Sequence, residues 1–225
     1  MTFLYLLENW LIIVSMKQTS SPPFARIAGI SYIIIFLAAI FANFFVLESL
    51  IQAPVPTLED HPMVVRWGIM AFLITAVLDV VVAWGLYELF KDRFLSLLSS
   101  CFRLIHAIVM GAAVFALPPV FEAEGAKEIL DQITLFNNIW LIGLFFFGIH
   151  LILLARVMKK PLFITVLLTL AGIAYITDTT AHFLMENYAD YESVFLMLVA
   201  IPGVLGEMSL AVWLLIKDGR SDLHK

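Results

Sequence analysis

The sequence predicts an all-α membrane protein: a six-helix transmembrane bundle with both termini cytoplasmic. Three observations carry that prediction. First, the chain of 225 residues is 62% hydrophobic and only 14% charged, with a mean hydropathy of +1.00. Soluble domains carry roughly 25% charge, so a water-soluble fold of this composition lacks the polar surface to cover itself. Second, the apolar residues fall into runs long enough to cross a hydrocarbon layer, which takes about 20 residues of helix. Third, Lys and Arg gather at alternate ends of those runs.

The spans follow in order at residues 26–47, 67–90, 94–117, 135–158, 162–184 and 194–216. The breaks between them carry turn chemistry: Pro54 and Pro56, Lys91 and Asp92, Pro118 and Pro119, Lys159 to Pro161, and Glu186 with Asn187. The second and third connections of helix to helix are unequal. Those between spans two and three, four and five, and five and six are short, which makes these pairs antiparallel neighbours. Residues 48–66 and 118–134 read as the longer loops. Residues 1–23 read as an N-terminal extension, 24–217 as the membrane domain and 218–225 as a cytoplasmic tail. The opening stretch is apolar but broken by Glu8 and Asn9. It has no basic n-region or small-residue cleavage site, which argues against a signal peptide. It reads as an interfacial segment, or as upstream of a natural start at Met16.

Orientation follows the excess of Lys and Arg on cytoplasmic loops. Lys17, Arg26, Lys91, Arg93, Arg156, Lys159, Lys160, Lys217, Arg220 and Lys225 fall on one side, Arg66 and Lys127 on the other. The second side carries acids instead, among them Glu59, Asp60, Glu122, Glu128 and Asp131. Both loops that hold those acids are expected outside.

Inside the spans, ionisable residues are costly, at roughly 2.5–3.5 kcal/mol or more each near the bilayer centre, and tend to face the bundle interior. Depth counted at 1.5 Å per residue places Asp79 about 18 Å from Lys91, Arg103 about 15 Å and His106 about 20 Å from Arg93, and Glu207 about 15 Å from Lys217. These four are expected in one midplane layer, with Asp79 and Arg103 as an ion pair. Glu207 is a second carboxylate candidate for the same guanidinium, whose fork suits carboxylates. Arg103 and His106, three apart, share a helix face. His150 lies further inward and beside Gly143 and Gly148, which permit close helix approach. Asp178 and His182 are four apart near the outer end of the fifth span and are expected to pair. Glu88 is expected to snorkel or to pair with a nearby base. Pro202, Gly203 and Gly206 loosen the last span just before Glu207.

Several chemistries are excluded. The lone Cys101 rules out an internal disulfide and a cysteine-built metal site. No Gly-rich phosphate loop, HExxH or EF-hand pattern is present, and no basic patch is long enough for nucleic acid.

Six ordered segments carry a family resemblance: ARIAGISYIII at 25–35, AFLITAVLDVVVAWGLYELF at 71–90, CFRLIHAIVMG at 101–111, WLIGLFFFGIHLILL at 140–154, LLTLAGIAYITDTTAHFL at 167–184 and IPGVLGEMSLAVWLLIK at 201–217. On these the chain resembles the bacterial integral-membrane proteins of the DUF4386 family, a domain of unknown function, over about residues 24–217. The resemblance implies a six-helix membrane protein and no activity. It also implies that Arg26, Asp79, Arg103, His150, Asp178, His182, Pro202 and Glu207 are typical family residues.

The residues leave three function classes open. In the first, the polar cluster binds or transports a small solute or relays protons, with a homodimer supplying the volume that six helices lack. In the second, the protein is a membrane-embedded metal-dependent hydrolase of a lipid or another amphiphile. Its ligands would come from His106, His150, His182 and the carboxylates; Arg103 would repel the cation. In the third, it is a non-catalytic accessory or sensor protein whose polar core specifies packing. Haem or quinone binding by His106 and His150 fits poorly, because their depths differ. The expected partners are the lipid bilayer and an unidentified small molecule or lipid; no cofactor is assigned.

Overall fold

The computed structural model describes residues 23–216. The tail and nearly all of the N-terminal extension assigned from the sequence lie outside the described residues. Every described element is helical. The chain runs through α1 (Phe24–Ile40), a π-helical segment (Phe41–Leu47) and α2 (Glu48–Gln52) without leaving the first span. Next come α3 (Pro54–Asp60), α4 (Pro62–Phe90), α5 (Ser96–Val114), a 3-10 turn (Pro118–Glu122) and α6 (Ala126–Met158). The order ends with α7 (Leu162–Leu184), a second 3-10 turn (Tyr188–Tyr191) and α8 (Glu192–Ile216). Among the described residues 6 helical stretches are long and apolar enough to cross a membrane.

Three boundaries differ from the sequence reading for one reason. Segments read there as loops are helix, because hydropathy marks the apolar part of a helix rather than its hydrogen-bonded length. Residues 48–66 fold into α2, α3 and the start of α4. Pro54 and Pro62 stand in the first turn of α3 and α4, where a missing N–H costs nothing and the fixed φ favours helix. Pro54, read from the sequence as part of a break, is therefore a helix start. The fourth span begins at Ala126, well before Leu135, and its 33 residues measure about 50 Å. Its first turns carry Lys127, Glu128 and Asp131 beyond any hydrocarbon layer. There the Glu128 carboxylate accepts the backbone N–H of Glu124 at 2.8 Å.

The spans pack in chain order, each on the next, and α8 returns to α1, so the six close into a ring. In lipid the helices gain nothing by hiding apolar surface from tails that are equally apolar, so association rests on close packing by small residues. The buried contacts show this: Ala28, Ala83, Ala107, Ala113, Ala171 and Ala211 are almost fully buried, while Leu37, Phe44, Val77, Ile108 and Leu196 are exposed. The α6–α7 crossing is tightest. A Cβ on Gly148 would meet the carbonyl oxygen of Gly172 at 2.6 Å, and one on Gly172 would meet that of Gly148 at 2.5 Å. On the closing seam, a Cβ on Gly29 would meet Leu215 at 2.8 Å.

Two apolar cores fill the ring. One holds Leu86, Leu154, Leu168 and Leu214 toward the end that bears Lys91 and Arg156 (the basic end). The other holds Val65, Phe72, Ile133 and Phe136 toward the opposite end. Along α4, Asp79 falls between them.

Substituting Gly172→Val is expected to lower stability in detergent by roughly 1–3 kcal/mol through overpacking. Gly111→Ala, where a Cβ would meet nothing within 4 Å, is expected to be neutral or stabilising. Thermal unfolding of the two variants beside the unsubstituted chain checks both.

Candidate functional site

The polarity of α5 is inverted. Its buried stripe is Ser96, Ser99, Ser100, Arg103, His106, Ala107 and Met110, a spacing of three and four that keeps all of them on one face. Leu97, Leu98, Leu104, Ile105 and Ile108 face outward. A helix with its polar residues inside and its apolar residues outside delivers chemistry to the centre of the ring.

Arg103 is the focus, with 1% of its surface exposed. Its Nη2 donates to Oδ1 of Asp79 in a short ion pair between α5 and α4. Its Nη1 donates to the Tyr32 hydroxyl on α1 at 2.6 Å and faces Nε2 of His150 on α6 at 3.3 Å. The guanidinium carbon sits 4.6 Å from the centroid of the Tyr32 ring and 5.2 Å from that of Phe147, within cation–π range. Nε is buried and has no hydrogen-bond partner among the described residues. The guanidinium thus reaches α1, α4 and α6 through Nη1 and Nη2 and leaves Nε unpartnered among the described residues.

The partners fix the two histidines differently. Nδ1 of His150 lies 2.9 Å from the carbonyl oxygen of Ser99, which only accepts, while its Nε2 faces Nη1 of Arg103, which only donates. These contacts assign His150 the neutral tautomer with its proton on Nδ1. Nδ1 of His106 lies 2.9 Å from the carbonyl oxygen of Gly143, and its Nε2 lies 3.5 Å from Oδ2 of Asp79. Both ring nitrogens of His106 therefore face oxygen atoms.

Glu207 is not in the ion pair. It lies on α8, partly buried, within electrostatic reach of Arg103 and Asp79 but in salt-bridge contact with neither. Tyr175 of α7 shares its neighbourhood, and the Tyr175 hydroxyl would lie 3.2 Å from a Cβ on Gly203. Gly203 and Gly206 are the small residues that let α8 approach α7 there. Of the residues assigned from sequence to a midplane layer, the structure joins Asp79, Arg103 and His106 directly and leaves Glu207 adjacent. His150, counted as lying further inward, reaches the same guanidinium.

The outer residues need a correction. Asp178 and His182 do not bond to each other. Asp178 accepts from the Tyr188 hydroxyl at 2.7 Å, and Nε2 of His182 faces the side-chain oxygen of Asn138 at 3.2 Å. Spacing along one helix gave them proximity, but a turn residue and a facing helix offered straighter bonds. Nδ1 of His182 is buried and has no hydrogen-bond partner among the described residues. Glu88 pairs with Lys91 at 3.4 Å, three residues on.

Sequence reasoning missed Tyr32, Ser99 and Phe147. A tyrosine or serine in an apolar span looks the same whether it faces lipid or a buried charge. The one available signal was position: Ser99 precedes Arg103 by four residues and so shares its face. Among the described residues no three His, Cys, Asp or Glu side chains are grouped to hold a metal ion, so the hydrolase alternative has no ligand set there. The nitrogens of His106 and His150, the pair considered for haem, are engaged by protein groups.

Replacing either partner of the central pair, as Asp79→Asn or Arg103→Met, is expected to cost roughly 3–5 kcal/mol by stranding the other. The double variant Asp79→Leu with Arg103→Met is expected to lose clearly less than the sum. Denaturation of the purified variants in detergent measures the coupling; additive losses would show that the two residues do not act as a pair.

The family model described as Domain of unknown function (DUF4386) matches residues 27–217. An uncharacterised protein of Archaeoglobus fulgidus is 29% identical over 157 residues, spanning 67% of this chain and 83% of that protein. No solved structure matches.

Proposed function

The chain belongs to the DUF4386 family, and on that premise we propose that it is a proton-responsive membrane protein that binds or carries a small solute at its polar centre. Glu207 is the group that exchanges protons. The Lys and Arg distribution orients it with both termini in the cytoplasm.

One observation carries the reading: Glu207 is a surplus carboxylate beside a charge that is already matched. Asp79 is paired with Arg103, and Glu207 is in none of the ion pairs found among the described residues. An ionised carboxylate there is costly unless it is paired or hydrated. With a proton it is neutral and rests where it is. Without one it calls for a donor, and Nε of Arg103 is a buried one with no hydrogen-bond partner among the described residues. Reaching it needs a shift of α8, the least buried of the six spans and the one that carries Pro202 within its length. Proline removes a helical hydrogen bond and eases bending. Protonation and the position of α8 are thereby linked, and a helix that moves with proton binding is the minimal element of a proton-coupled carrier or sensor.

A second reading has its own support. The guanidinium network joins four helices through side-chain bonds, as a purely structural core does. Such a protein is an accessory element with no solute.

Hydrogen–deuterium exchange of α8 in the purified full chain, compared at pH 5 and pH 8 after correction for intrinsic rates, separates the two. Protection of α8 is expected to change severalfold between these pH values. Glu207→Gln is expected to abolish that change with the fold intact, while Glu207→Asp keeps it. A variant Glu207→Gln that matches the unsubstituted chain in both exchange and stability would leave the structural core as the reading. Metabolite and lipid profiles of a deletion strain identify the solute class.

A further inference from the structure

At the basic end of the bundle, away from the charge cluster, α6 and α7 part and leave a groove of about 470 Å³. Arg156 and Lys159 line it from α6 and its C-terminal residue; Thr165, Val166, Thr169 and Leu170 line it from α7. Both cations are exposed. Neither takes part in the ion pairs found among the described residues. The groove also holds no carboxylate, so its charge is of one sign and unopposed.

Two details define what would fit. The threonine hydroxyls are already committed: Thr165 donates to the carbonyl of Leu162 at 2.9 Å and Thr169 to that of Thr165 at 2.7 Å. The two cations are therefore left to recognise a charged group, and that group is an anion. Lys159 also holds a left-handed backbone, φ 61°, which glycine adopts freely and lysine only at a cost. A lysine in that conformation keeps a charge at the groove mouth that glycine would not supply.

The second detail is apolar. Val166 and Leu170 are exposed on the outer face of α7, at 47% and 51%. They are four residues apart, about 6 Å along the helix, and they lead from the cations toward the middle of the span. A free phosphate would use the cations alone. A molecule with a charged head and a hydrocarbon tail uses both parts, and the groove lies at the end of the spans, where headgroups meet hydrocarbon.

We propose that this groove binds an anionic phospholipid, its headgroup phosphate between Arg156 and Lys159 and an acyl chain along Val166 and Leu170. Basic pockets between transmembrane helices are suited to anionic headgroups. The site is independent of the reading given to Glu207.

Native mass spectrometry of the full chain in detergent, titrated with phosphatidylglycerol or phosphatidylcholine, tests it. Two cations near an anionic headgroup are expected to give phosphatidylglycerol a preference of roughly 30-fold. The double variant Arg156→Gln with Lys159→Gln is expected to bring the two lipids to near parity. Arg156→Lys with Lys159→Arg, which keeps both charges and guards against misfolding, is expected to retain the preference. No preference in the unsubstituted chain, or an undiminished one in the neutral double variant, would overturn the proposal. Displacement of the lipid by millimolar inorganic phosphate would also overturn it, by assigning the site to the free anion.

Discussion

Arg103 is tolerable in its position only because three other helices bring it partners. A guanidinium with 1% of its surface exposed has lost its hydration, and it stays charged at any pH a cell meets. It cannot escape its burial by giving up a proton as a lysine can. Asp79 supplies the countercharge from α4, Tyr32 a hydroxyl from α1, and His150 a ring nitrogen from α6. Each contact fixes the rotation of a helix about its own axis. The Gly148–Gly172 crossing and the alanine seams then set how near the neighbouring helices come.

The same requirement accounts for the two histidines. His150 beside a permanent cation is compatible as an acceptor, and the Ser99 carbonyl accepts the hydrogen bond from its other nitrogen. His106 lies on the far side of Asp79, next to the anion rather than the cation. One guanidinium and one carboxylate thus sort two chemically identical side chains into different hydrogen-bonding roles. Both lie in a region too deep for water to even out the difference.

Much of this could be read from residues alone, and what could not has physical causes. Asp79 and Arg103 count to similar depths from basic ends, and each needs an opposite charge, so depth and charge together point to a pair. Nothing in the sequence singles out Tyr32, because its hydroxyl is one atom on an otherwise apolar span. Asp178 and His182 show the limit of spacing rules: four residues put side chains close, but the bonds go to Tyr188 and Asn138, whose approach depends on a turn and on a helix crossing. Helix lengths were underestimated for α4 and α6, because a backbone that has begun to hydrogen-bond continues past the edge of the apolar run. The six spans were legible because membrane length and composition are properties of contiguous residues. The ring they form is a property of pairs.

That ring follows chain order, with consequences for how the protein enters a bilayer. Arg103 would be an expensive residue to insert on a lone helix. Its countercharge lies on the span made immediately before it, joined by a connection of only five residues, from Lys91 to Leu95. α4 and α5 can therefore partition as a hairpin whose two opposite charges cancel before any later helix exists. His150 arrives with the next span. The order of synthesis matches the order in which the charge is neutralised, and at no stage of assembly need an unmatched guanidinium face the lipid.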